Sequence, residues 1–282
     1  MVSEGPLQRV PPFTFPPHYE LPLGPSAGAP REVRFLLGDD LALFETGMNL
    51  EIRIVMASRA GRYRTHALAA LLGLWSRSFA YRADACSLIV RGGYASSIPL
   101  LRTACDCVGA QRGLASGDLD EFTAWLAAMG QSREHAALDV GLGRYRAGSA
   151  LATDERLGSL YRAATDLSMT HFGSTLLQVA PESDLERVSI AFADSSFHLG
   201  WAQLLTGWLL VLVQVQVETA LAAGNVFAVP PDAQDELSGL SSEIEKTLTK
   251  TDRCRMEESA AGRYLLHNFR RQPGGAPRRL LL

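Results

Sequence analysis

SSFHLGWAQLLTGWLLVLVQVQV, residues 195–217, is a run of 23 residues without a charge. A helix of that length can cross a bilayer. The run also holds His198, Gln203, Thr206, Gln214 and Gln216, and its flanks are Asp194 and Glu218, not Lys or Arg anchors. The reading is therefore a central helix, apolar on every side because protein covers every side, in a chain with no membrane partner. Alternation in VLVQVQV, residues 211–217, leaves a strand open at that point.

The rest of the chain agrees with helix. It has 37 Ala and 42 Leu against 15 Val and 6 Ile, and β-branched side chains lose more freedom in a helix. Eight of the 14 prolines fall in residues 1–30, and only Pro99 and Pro181 interrupt residues 31–229. The fold expected is all-α: a single antiparallel bundle of about seven helices, with a Pro-rich N-terminal arm and a C-terminal helix plus basic tail. Residues 1–38 read as the arm, 39–225 as the bundle and 226–282 as the acidic helix and tail.

Helices are expected from Asp40 to Ala60, with Leu41, Phe44, Met48, Ile52 and Val55 on one stripe, and over 65–91, ending at Gly92–Gly93. Another spans 96–115 with Pro99 in its first turn. Asp118 and Glu121 form a capping box for a fourth, and Thr153 caps a fifth that runs to about His171. Val188, Ile190 and Phe192 alternate, the pattern of a short extended piece. After Pro230–Pro231 an amphipathic helix turns Leu237, Leu240, Ile244 and Leu248 inward.

The net charge of −3 excludes a general basic field for polyanions. The four cysteines form no metal-binding pair and suit a reducing, cytoplasmic setting, and the N-terminus lacks a signal-peptide layout. No cofactor or metal site is expected. Charge segregates at the C-terminus: residues 232–245 hold five acids, and residues 259–282 hold five arginines with no acid. Tyr264, Leu265, Leu266 and Phe269 lie among those arginines, so the tail is expected to dock on protein, in a homodimer, with the acidic helix as complementary surface.

Residues 87–109, with Leu100, Leu101, Arg102 and Asp106, and residues 159–177, with Tyr161, Ser168 and His171, resemble a group of bacterial helical proteins allied to HEPN domains. SLIVRGGYASSIPLLRTACDCVG, residues 87–109, is similar to that group's helix, glycine turn and helix with Leu-Leu-Arg and an acid four residues on. SLYRAATDLSMTHFGSTLL, residues 159–177, is similar to its later Tyr, Ser, His pattern. The resemblance covers roughly residues 65–220 and implies a bundle that brings Arg102, Asp106 and His171 together. It points to a HEPN-like interaction or regulatory protein with RNA or a nucleotide as ligand. The bottom-up reading of Arg102 and Asp106 is an i, i+4 pair that is either an anion site or a structural ion pair.

Two enzyme classes stand beside that reading. HEPN ribonucleases use Arg-x(4–6)-His, and Arg59 with His66 matches that spacing, although Ala60 follows the arginine. Magnesium-dependent terpene-synthase-like enzymes use two acidic motifs. Asp39–Asp40 with Glu45 resembles the first, and Asp235, Gly239 and Glu243 resemble the second without its hydroxyl. His198, Trp201 and Trp208 read as core, and His135 as part of a solvated face.

Overall fold

A computed structural model describes residues 28–58, 66–116, 151, 154–181, 183, 187, 189–224, 226–259 and 262–282. Among these lie eight helices and three short strands, so the protein is mostly helical with one small sheet. The capping box at Asp118 and Glu121, Thr153 and His135 lie outside the described residues, as does most of the Pro-rich arm.

The arm is shorter than its sequence indicates. Helix α1, Gly28–Leu36, occupies its last part, with Pro30 in the first turn, where a missing N–H costs nothing. It buries Ala29, Pro30 and Val33 and runs through Leu37 almost directly into α2, Gly38–Ala57. Along α2 the buried positions Asp40, Phe44, Gly47, Met48, Glu51 and Ile54 recur at helical spacing. Helix α3, His66–Val90, ends on Gly92, whose φ of 79° is the left-handed value that closes such an end. A Cβ there would also strike the Ser195 carbonyl. Helix α4, Tyr94–Ser116, starts two residues earlier than expected, so Pro99 stands past its first turn. The hydrogen bond lost is the one to the carbonyl of Ala95, and Ala95 is exposed.

Helix α5, Glu155–Ser168, is capped by Asp154, whose carboxylate accepts from the backbone N–H of Arg156 and Leu157. Helix α6, Phe172–Val179, follows. Helix α7, Leu199–Ala222, takes up the charge-free run from Leu199 onward, so residues 211–217 are helix and not strand, and continues past Glu218; 18 of its 24 residues are buried, against α2, α3, α4 and α5 and against α8, Ala233–Leu248. By length and composition α7 could also span a membrane.

The helices around α7 do not all alternate in direction. Asp40 lies against Thr206 and Gly47 against Val213, so α2 rises with α7. Tyr94 meets His198 and Gln111 meets Gln216, so α4 does too. Helix α8 descends: Leu248 lies beside Gly207, while Arg53, near the end of α2, pairs with Glu236.

The basic tail is not a tail. Strands β1, Arg255–Glu258, β2, Tyr264–Phe269, and β3, Arg278–Leu281, form an antiparallel sheet in that order. Asn268, at φ 56°, makes a bulge in β2 that restores the inward direction to Phe269 after Tyr264 and Leu266. Within the chain, Arg271 pairs with Asp194, Arg270 donates to the Asp252 carbonyl, and Arg278 donates to the carbonyls of Pro181 and Ser183. The expected extended piece around residue 190 is a loop with Ile190 and Phe192 exposed.

Candidate functional site

Arg102 projects from α4 toward α5. It donates to Thr165 Oγ1 at 3.1 Å and Tyr161 Oη at 2.9 Å, with its guanidinium 5.1 Å from the Tyr161 ring centre. The Asp106 carboxylate lies 3.8 Å away, and both side chains are about a third exposed, at 35% and 36%. Burial raises the Asp106 carboxyl above its usual range, and Arg102 offsets part of that. His171 is exposed at the N-cap position of α6, and among the described residues no hydrogen bond or ion pair joins it to Arg102 or Asp106. Two of the three residues meet; the histidine stands apart from their bonds.

Arg59 lies outside the described residues, and His66 is the first residue of α3. Asp39 is exposed while Asp40 is buried, held by Arg253 Nη1 at 2.6 Å, and Glu243 pairs with Lys246. Among the described residues no group of three His, Cys, Asp or Glu side chains could hold a metal ion.

The deepest polar groups escaped the sequence reading. Glu51 of α2 and Arg82 of α3 are both fully buried, joined by two hydrogen bonds at 2.5 and 2.7 Å. Trp75 Nε1 donates to the same carboxylate at 2.6 Å, and Arg82 Nε donates to the Ser78 carbonyl. Arg253, just before β1, clamps Asp40 while donating to the Gln203 carbonyl and Thr206 Oγ1 on α7. Their only sequence signal is a charge inside an apolar stripe, as with Glu51 between Leu50 and Ile54.

Exposed apolar side chains stand at two places, and a hollow opens at the second. Met169 and Phe172 stand out at the start of α6, and Ile190 and Phe192 in the loop beyond its end, where Ala191 N–H bonds the Val179 carbonyl. Phe192 is 98% exposed and Phe172 77%. Phe192 is part of the wall of a hollow of about 610 Å3, which Ala29, Glu32, Asp194, Ser196 and Arg271 also line. Ala193, next in the loop, holds the strained φ of 53°. Burial alone would raise the Asp194 carboxyl, but hydrogen bonds from Ser196 and Arg271 hold it below its usual range. His198, behind this loop, is no acid or base for the hollow. Its Nδ1 caps α7 by accepting from Trp201 N–H, and its ring packs on Phe269.

No family model, curated protein or solved structure matches this chain.

Proposed function

We propose that this protein is a non-catalytic helical interaction protein of HEPN-like kind, cytoplasmic, with its helices acting as one bundle, and that it docks a second copy of itself through the face around α6 and the 190–197 loop. The observation that carries this is a knob beside a socket. Phe192, almost fully exposed, forms part of the rim of a hollow of about 610 Å3. A two-fold pair of chains uses both at once, because each Phe192 can fill the other's hollow. Phe172, Met169 and Ile190 supply further apolar contact, the composition expected at the centre of an interface. Sedimentation equilibrium tests it: the natural chain should be dimeric and Phe172→Ser/Phe192→Ser monomeric with unchanged helical content. A natural chain that stays monomeric defeats the reading.

A second reading, RNA or nucleotide binding, is favoured by Arg102 lying over the Tyr161 ring on a part-exposed surface, a pairing on which a base can stack. Its ribonuclease form would use Arg59 with His66, or Arg102 with His171. RNA cleavage lost in His66→Ala or His171→Ala would establish that form. A magnesium-dependent prenyl-diphosphate activity would establish the terpene-synthase-like one.

A further inference from the structure

Gln111 of α4 and Gln216 of α7 meet inside the protein, both fully buried. Gln216 Nε2 donates to Gln111 Oε1 at 2.6 Å, which leaves Gln111 Nε2 and Gln216 Oε1 without a partner. Exchanging O and N in both amides reverses their roles but still leaves one donor and one acceptor over. Buried amide groups in folded proteins are nearly always met by some polar atom.

Their position indicates which atom. Gln111 lies one helical turn before Ala115, and Gln216 one turn before Thr219. Ala115 and Thr219 line a cavity of about 410 Å3 between the C-terminal ends of α4 and α7, with Arg112, Glu218 and Ala222. The two helices run in the same direction, so both glutamines stand on the turn that precedes a lining residue, at the same end of the cavity. Its size falls within the roughly 300–1,000 Å3 of small-molecule sites. The charges at its mouth cancel. Asp154 accepts from Arg112 at 2.8 Å and from Arg156 at 2.9 Å, and Arg156 also holds Glu218 at 2.6 Å. Two cations and two anions already paired give an anion no net attraction, whereas a neutral molecule can enter past Ala115 and Ala222 without breaking a pair.

We infer that this cavity binds a small uncharged molecule with an adjacent N–H and C=O, a lactam or imide edge such as an uncharged nucleobase presents. The unpaired Gln111 and Gln216 atoms read that edge as donor and acceptor, and Thr219, one turn on from Gln216 on the same face of α7, shifts rotamer to admit it. Calorimetric titration of the full chain with uracil, hypoxanthine and 2-pyrrolidinone tests this, with 1,3-dimethyluracil as the analogue lacking an N–H. At least one of the three should bind and raise the melting temperature, and dimethyluracil should bind at least about tenfold more weakly. Gln111→Leu/Gln216→Leu should stay helical and lose binding by a similar factor. If that variant does not fold, Ala222→Trp at the exposed rim must weaken binding instead. Phe172→Ser/Phe192→Ser should bind the probes as the natural chain does, which separates this site from the docking face. Failure of all three probes to bind at millimolar concentration overturns the inference, as does equal binding of dimethyluracil or full binding by the folded Leu variant. The two amides would then be met by buried water.

Discussion

Glu51 and Arg82 face each other with no exposure at all, a pair whose charges are strong only because each has the other. Removing one partner strands the other in the interior. Glu51→Ala should therefore cost about 3–5 kcal/mol by urea denaturation, and Glu51→Leu with Arg82→Met should recover most of it, since apolar packing can replace a buried ion pair. Arg102 and Asp106 present the opposite case. A third exposed, they are screened by water, and Arg102→Ala should cost no more than about 1 kcal/mol in the same assay. His198 ties stability to pH. Burial, with Arg271 as the second cause, lowers its imidazole from 6.5 to about 4. The unfolded chain takes up this proton near pH 6.5, and the folded chain not until about pH 4. The stabilising effect is thus complete above pH 6.5, is lost progressively as pH falls toward 4, and amounts to about 3 kcal/mol across the window. Melting curves between pH 7 and 5 should show the slope, and His198→Gln should remove its share.

The decisive element is α7, and its N-terminus shows how helix and sheet depend on each other. The first backbone N–H groups of a helix have no partner within it. Here Leu199 N–H and Gly200 N–H donate to the carbonyls of Arg271 and Arg270, both at 2.9 Å, so the chain leaving β2 finishes the helix. That approach requires Gly200, because a Cβ would lie 2.8 Å from Phe269 Cδ2 and 3.2 Å from the Arg270 nitrogen. Gly200→Ala should push the sheet off α7 and cost about 1–3 kcal/mol, with a loss of near-ultraviolet circular dichroism from Trp201, which packs edge-on to Phe269. At this scale the helical elements were readable from residues alone. Leu237, Leu240 and Ile244 turn inward along α8 as their spacing requires, and Gly92–Gly93 does separate α3 from α4. The strands were not, because the bulge at Asn268 breaks the alternation that marks a strand, and Pro273, Gly274 and Gly275 suit a loose tail as well as a turn.

Among the described residues the core is one large apolar cluster around α7, with a second around Trp75, Phe227 and the C-terminal end of α7. Tyr264, Leu266 and Phe269 of β2 belong to the first cluster, with Leu280 and Leu282 packed against it, so the sheet is tied into the core. A chain ending at Ser259 should lose cooperative unfolding; a truncated form that melts as sharply as the full chain would show the sheet to be an accessory. The sequence by itself determined that this protein is mostly helical and that the charge-free run 195–217 carries a central covered helix, with a strand left open over 211–217, because helix propensity, proline placement and apolar periodicity are local properties. Only the tertiary structure decided what those helices meet. It placed Glu51 on Arg82 across 31 positions and Asp40 on Arg253 across more than two hundred, and gave His171 no bond to Arg102. It also turned a run of arginines, glycines and prolines into a sheet that caps α7. Those outcomes rest on burial, ion pairing and strand pairing between distant segments, and such energies exist only once the segments are side by side.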